Sequence, residues 1–232
     1  MQTCPTDGKA LTIHRLLSEH YGEPQLKTQR DPLSELIVTI LSQNTSDANS
    51  GRAYQSLKSR FPRWEDVLDA GAEELSEAIR VGGLANVKAP RIMRILRMLQ
   101  ETRGGLDLSF LDTMELEESR EYLLALPGVG PKTAACVLLF SLHKPALPVD
   151  THVHRVSRRV GLVPEKASAE KTHQLLEDAL PPDTYYPFHL NMIHHGRIVC
   201  HSQRPKCAEC VLRPECVHVR SLEADQAVKD AS

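Results

Sequence analysis

The stretch Leu126-Pro127-Gly128-Val129-Gly130-Pro131-Lys132-Thr133-Ala134 decides how this chain folds. Two glycines flanking one valine let the backbone turn tightly. Pro131 sits where a first helical turn tolerates proline, so the helix that follows starts with its free amides exposed. Residues 117–126 read as a helix before the turn and Pro131 to about Leu142 as one after it. Two helices around a glycine turn make a helix-hairpin-helix, a place that binds a phosphate without side-chain charge. A plain connection between helices has the same outline, but G-x-G flanked by Leu-Pro and followed by Lys-Thr-Ala is more specific than a lone G-x-G.

Outward from the hairpin, helical signals dominate and strands have almost no support. Leu33, Leu36, Ile37, Ile40 and Leu41 recur at helical spacing behind Asp31-Pro32, a cap followed by a first-turn proline. Further helices are expected over Ser46–Arg60, Trp64–Ala70, Ala72–Val81 and Asn86–Arg103, punctuated by Phe61-Pro62, Gly71, Gly82-Gly83 and Gly104-Gly105. A Pro-rich loop from Lys144 to Pro148 leads to helices over Thr151–Val160, Ser168–Leu180 and Thr184–Val199. From Ser221 the polar composition reads as a fraying tail. The apolar run Ala134–Leu142 is far shorter than the roughly 20 residues a bilayer requires, so no membrane span is expected. Met1–Lys9 shows no basic segment followed by an apolar run, which points to an intracellular protein, cytoplasmic in a bacterium.

A formal net charge of -2 argues against a protein that holds nucleic acid by bulk charge alone. Any such face must be local, and the charges are indeed segregated: Glu115, Glu117, Glu118 and Glu121 lie together, while Arg197, Arg204, Lys206 and Arg213 bracket the late cysteines.

Cys200, Cys207, Cys210 and Cys216 form C-x6-C-x2-C-x5-C, whereas Cys4 and Cys136 stand apart. Such clustering means a metal site or a disulfide knot, and a reducing compartment disfavours the knot. Zinc sites usually present two tight pairs, and only Cys207 and Cys210 make one here. Four thiolates from one loop suit a [4Fe-4S] cube, each iron taking one cysteine, better than a single tetrahedral ion, though zinc stays open. The loop between Cys200 and Cys207, with Arg204 and Lys206, reads as a phosphate-contacting finger or a solvated charged loop. Cys136 reads as a core residue.

Lys132 falls in the first turn of the hairpin's second helix, where the positive end of the helix dipole and low solvation favour a neutral amine. A nucleophile and a phosphate contact are both compatible with that position. A nucleophilic amine needs a neighbour to take a proton and stabilise positive charge. Asp150, in Pro148-Val149-Asp150-Thr151-His152, is the candidate, and helix capping is its equally natural role. His152, His154, His194 and His195 read as structural or DNA-facing.

Together these residues resemble the endonuclease III family of the helix-hairpin-helix glycosylases. The resemblance rests on the hairpin, Val149-Asp150-Thr151-His152 with Arg155-Val156, His195-Gly196-Arg197 and the cysteine loop, in order, over about residues 10 to 218. It implies an all-α, two-lobed fold: a six-helix barrel over residues 27–144, an iron-sulfur cluster domain from residues 1–26 and 145–218, and a flexible tail over 219–232. The active site would lie between the lobes and receive a flipped base. Lys132 would attack the sugar C1′ and form a Schiff base that nicks the strand by β-elimination, with Asp150 assisting.

The implied partner is double-stranded DNA carrying oxidised pyrimidines or abasic sites, bound by a monomer with a [4Fe-4S] cluster on Cys200, Cys207, Cys210 and Cys216. Relatives that only remove bases, such as adenine glycosylases, lack this lysine, and the resemblance leaves no room here for their additional C-terminal domain. The implied DNA contacts are Gln43, Asn44, Leu84, Gly128, Gly130, His152, Arg155, Arg197, Arg204 and Lys206. Gapless alignment puts Asn44 where the family has a gap-filling Gln, with Gln43 one place earlier; Asn44 to Asp47 also suit a cap of the next helix. Leu84, behind Gly82-Gly83, matches an apolar wedge and also suits ordinary packing. Alternative readings are a thymine, uracil or adenine mismatch glycosylase, and a non-catalytic DNA-binding iron-sulfur protein.

Overall fold

The computed structural model describes residues 7–26 and 29–230, so Cys4 lies outside the described residues. These residues are all-helical, with no strand among them. The chain divides into two compact units, Thr28–Lys144 and a second formed by Met1–Lys27 with Pro145–Ser232.

The first unit contains α2 (Pro32–Ser42), α3 (Asp47–Arg60), α4 (Trp64–Ala78), α5 (Ala85–Arg103), α6 (Leu116–Ala125) and α7 (Pro131–Ser141). The second contains α1 (Asp7–Tyr21), α8 (Thr151–Val160), α9 (Ala169–Ala179), α10 (Tyr185–Ile198) and α11 (Val217–Asp230). Asp31 accepts the Ser34 amide at 2.8 Å and Pro32 opens α2, as the Asp-Pro pair requires. The stripe Leu33, Leu36, Ile37, Ile40 and Leu41 is buried, each side chain contributing about 1.5–3 kcal/mol of hydrophobic stabilisation. Helices α2 and α7 pack together, α4 lies on α5, and α6 packs on α7. In the second unit α10 packs on α8 and α1, and α1 also meets α9.

Gly71 takes φ 83 and ψ 178, a non-helical conformation that kinks Trp64–Ala78 into the two helices expected on either side of it. The acidic cluster has a local cause: Glu115 and Glu118 form a reciprocal capping box at the start of α6, where carboxylates favour the helix dipole. The expectation of a frayed tail is corrected, since α11 carries the chain to Asp230. Leu222-Glu-Ala-Asp-Gln-Ala-Val-Lys contains good helix formers and neither Gly nor Pro, so polar composition there signals an exposed helix, not a coil. No helix among the described residues is long and apolar enough to cross a membrane.

Candidate functional site

The hairpin turn is closed by the Val129 amide, which donates to Leu126 O at 3.1 Å while the Val129 side chain is buried. Gly128 takes φ 73, a left-handed conformation that suits glycine. A Cβ there would stand 2.6 Å from Arg91 Nε. Gly128→Ala is therefore expected to cost about 1–3 kcal/mol, from backbone strain and displacement of Arg91; denaturant unfolding checks this. Gly130 precedes α7, no side chain caps that helix, and Pro131 has no amide hydrogen, so the Lys132 and Thr133 amides face an uncapped terminus. Lys132 is half-buried, and the run from Thr133 to Leu139 is buried, so the lysine sits on the first turn, before the helix enters the core. Among the described residues its side chain makes no hydrogen bond or ion pair.

The loop after α2 separates Gln43 from Asn44. Gln43 points inward: its Nε2 donates to Thr133 Oγ1 at 3.3 Å and its Oε1 accepts from Arg91 NH1 at 2.7 Å. Asn44 is exposed and held at φ 54. Within the Asn44–Asp47 stretch, Ser46 caps α3 by accepting the Asn49 amide, as the capping alternative expects. The two residues thus differ in kind, one tied into the unit and one presented outward. Leu84 is likewise exposed, 52%, at φ 53, directly after Gly83 at φ 69. An apolar side chain held outward in a left-handed conformation is not ordinary packing. Arg204 in the cysteine loop, at φ 48, shares that conformation and is exposed, as is Lys206.

In the second unit Asp150 caps α8, its Oδ1 accepting the Val153 amide at 2.7 Å. Among the described residues no other hydrogen bond of its side chain is present, which leaves Oδ2 for a second task. Arg155, expected to face DNA, is also engaged within its own unit. Its Nε donates to Cys200 O at 3.1 Å, its NH2 to Gly196 O at 2.9 Å, and His152 Nδ1 lies 3.0 Å from the same NH2. Arg155 is a brace between α8 and the end of α10, because its fork reaches carbonyls left open there. Gly196 makes that approach possible, since a Cβ would stand 2.9 Å from His152 Cβ. Burial holds His152 below the ordinary imidazole value, despite nearby Asp150, so the ring is neutral. Arg197 is exposed on the last turn of α10.

Cys200, Cys207, Cys210 and Cys216 line one cavity together with His195, Val160, Val199 and Val219. Among the described residues no three His, Cys, Asp or Glu side chains converge tightly enough to hold a single metal ion; the four thiols instead surround a common space. Burial pushes the Cys210 thiol up to about 11, the Leu212 amide opposes this, and the other three sulfurs add to it. Burial and the sulfurs of Cys216 and Cys200 also raise Cys207. Four sulfurs around one space, those of Cys200 and Cys216 buried and those of Cys207 and Cys210 half-buried, are a donor set that calls for a positive centre. Arg159 lies beside them, NH1 3.3 Å from Cys200 Sγ, and also donates to His201 O and Ser202 O, fixing the loop. His195 is buried, its value lowered to about 4 chiefly by burial, with Tyr21 Oη 2.9 Å from its Nδ1 and Cys210 Sγ 3.4 Å from its Nε2. If the tyrosine hydroxyl donates to Nδ1, the Nε2 hydrogen faces the Cys210 sulfur. The set fits a [4Fe-4S] cluster.

Sequence reasoning misses Arg91, Lys88, Arg159 and Tyr21. The available signal is spacing: Arg155 and Arg159 lie one turn apart on α8, as Lys88 and Arg91 do on α5.

Residues 37–182 match the HhH-GPD superfamily of base excision DNA repair proteins. A DNA glycosylase homologue of Arabidopsis thaliana is 40% identical over 200 residues, covering 86% of this chain, which spans 66% of that longer protein. Endonuclease III of Thermotoga maritima is 39% identical over 197 residues, covering 85% of this chain and 88% of the relative. The structure of a trapped endonuclease III–DNA covalent intermediate superposes with a TM-score of 0.80 at 28% identity, covering 96% of this chain and all of that one. The chain belongs to the HhH-GPD superfamily of base excision DNA repair proteins and, within it, to the endonuclease III family of DNA glycosylases.

Proposed function

We propose that this protein is a bifunctional DNA glycosylase and abasic-site lyase that removes oxidised pyrimidines from duplex DNA, with Lys132 as nucleophile and Asp150 as its carboxylate partner. The observation that carries the reading is Lys132 itself, half-buried at the uncapped start of α7 behind a hairpin turn suited to a DNA phosphate. The endonuclease III caught as a covalent intermediate with DNA supports it.

In this reading Lys132 Nζ attacks C1′ as the C1′–base bond breaks, and the base leaves with its electron pair and takes up a proton. Loss of a proton from Nζ and opening of the sugar ring leave a Schiff base. Removal of a C2′ proton then expels the 3′ phosphate, breaking the C3′–O bond, and water releases the lysine. Asp150 accepts the proton that Lys132 must shed and stabilises positive charge at the sugar, using the oxygen not committed to capping. Asn44 fills the space left by the flipped nucleotide, and Leu84 wedges between the neighbouring bases. Arg204 and Lys206 contact phosphates.

A [4Fe-4S] cluster on Cys200, Cys207, Cys210 and Cys216 supplies a structural brace for the loop that carries Arg204 and Lys206. The purified protein is expected to be brown, absorbing broadly near roughly 400 nm through thiolate-to-iron charge transfer. Cys207→Ser should bleach that band and weaken duplex binding. A colourless protein with stoichiometric zinc would contradict the assignment.

Substrate class is tested by single-turnover excision from duplexes carrying an oxidised pyrimidine, mismatched thymine or uracil, or adenine opposite an oxidised guanine. Fastest excision of the oxidised pyrimidine is expected. Preference for either other class would replace that substrate while leaving the lyase chemistry intact.

A further inference from the structure

Helix α5 carries a buried cation that the chemistry above does not use. Lys88 is 2% exposed, and its Nζ donates to Leu41 O at 2.7 Å and to Gly82 O at 3.0 Å. Leu41 lies at the end of α2, just before the Gln43–Asn44 loop, and Gly82 closes the turn that presents Leu84. One ammonium therefore ties together the roots of the two loops proposed to enter the duplex. Among the described residues no carboxylate pairs with it, and burying a cation against carbonyl oxygens alone costs stability that an apolar side chain of similar length would not. Burial, with Arg91 adding to it, holds the Lys88 ammonium below its ordinary value, which reflects that cost.

One turn along the same helix, Arg91 donates to Gln43 Oε1 at 2.7 Å, and Gln43 in turn donates to Thr133 Oγ1 at 3.3 Å, next to Lys132 in sequence. The other edge of the Arg91 side chain lies against Gly128 in the hairpin turn. Three separate loops and the helix bearing the amine thus meet on a single face of α5.

We infer that Lys88 and Arg91 are positioning residues that hold the Asn44 loop and the Leu84 turn in one register and link that register, through Gln43 and Thr133, to the helix bearing Lys132. Opening of the duplex and placement of the amine then occur as one event. The inference rests on the reading of Asn44 and Leu84 as the elements that enter DNA. It gives Gln43 a role inside the protein, which explains why the gap-filling position falls on the following residue.

The test compares single-turnover nicking of an abasic site in a fully paired duplex with nicking of the same site inside a pre-opened bubble, where no opening is needed. Arg91→Met and Lys88→Met are expected to slow nicking of the paired duplex by roughly 10-fold to 100-fold while leaving the bubble within about threefold of wild type. The fluorescence rise of 2-aminopurine opposite the site should slow in parallel. Should Lys88→Met fail to fold, Arg91→Met and Arg91→Lys carry the test, since lysine keeps the charge but cannot both reach Gln43 and line Gly128. Equal slowing on both substrates, or none on the paired one, overturns the inference. The double variant Asn44→Ala/Leu84→Ala separates the two layers. If it shows the paired-duplex loss and Arg91→Met does not, the positioning role alone falls; if it nicks both substrates at the wild-type rate, the DNA-opening reading falls and the positioning role with it.

Discussion

Lys132→Ala is expected to abolish strand nicking, lowering the single-turnover rate by about three orders of magnitude or more, while the protein stays folded and still binds abasic duplex. The fold should survive because alanine is a good helix former and Lys132 lies on the first turn of α7, ahead of the buried run from Thr133. The competing role for this lysine, a phosphate contact, makes an opposite set of demands. Losing a phosphate contact weakens binding and reduces the salt slope by about one, yet leaves nicking intact at saturating protein. Measuring the rate at saturation together with the salt dependence of binding separates the two.

Asp150 offers the second large effect, because its two roles can be dissected. Asp150→Asn should keep the cap of α8, as asparagine caps as well as aspartate, so unfolding should change by only a few tenths of a kcal/mol. Excision and nicking should nevertheless fall by about 10²-fold to 10⁴-fold, since the amide cannot take a proton from Lys132. Asp150→Ala should show the same kinetic loss and in addition lose about 1 kcal/mol of stability with the Val153 amide left uncapped. A purely structural aspartate would reverse the pattern, with Asn nearly wild type in rate. Single-turnover kinetics alongside chemical denaturation read both quantities.

Much of this is legible in the amino-acid order where the cause is local. The stripe from Leu33 to Leu41, the break at Gly71 and the hairpin glycines each act over a few residues, and the structure follows them. The spacing of the four cysteines likewise brings them to one cavity. What escapes the sequence depends on partners far along the chain. Arg91 sits in Asn86-Val-Lys-Ala-Pro-Arg91, an unremarked helical run, and its partner Gln43 is 48 residues away. The family resemblance makes Arg155 a DNA contact, and only the carbonyls of Gly196 and Cys200 show that its Nε and NH2 are engaged within the protein. Gln43 and Asn44 are adjacent polar residues whose difference is one of backbone geometry: one turns inward, the next takes a left-handed φ and faces out. The C-terminal segment errs the other way, since polarity suggests a coil where helix propensity prevails.

The central claim is that Lys132 forms a covalent bond to the sugar, and borohydride trapping on an abasic duplex tests it most directly. Reduction of the Schiff base should leave a stable protein–DNA adduct with the wild-type protein and none with Lys132→Ala. Absence of an adduct with the wild type, or equal trapping by Lys132→Ala, would contradict the account.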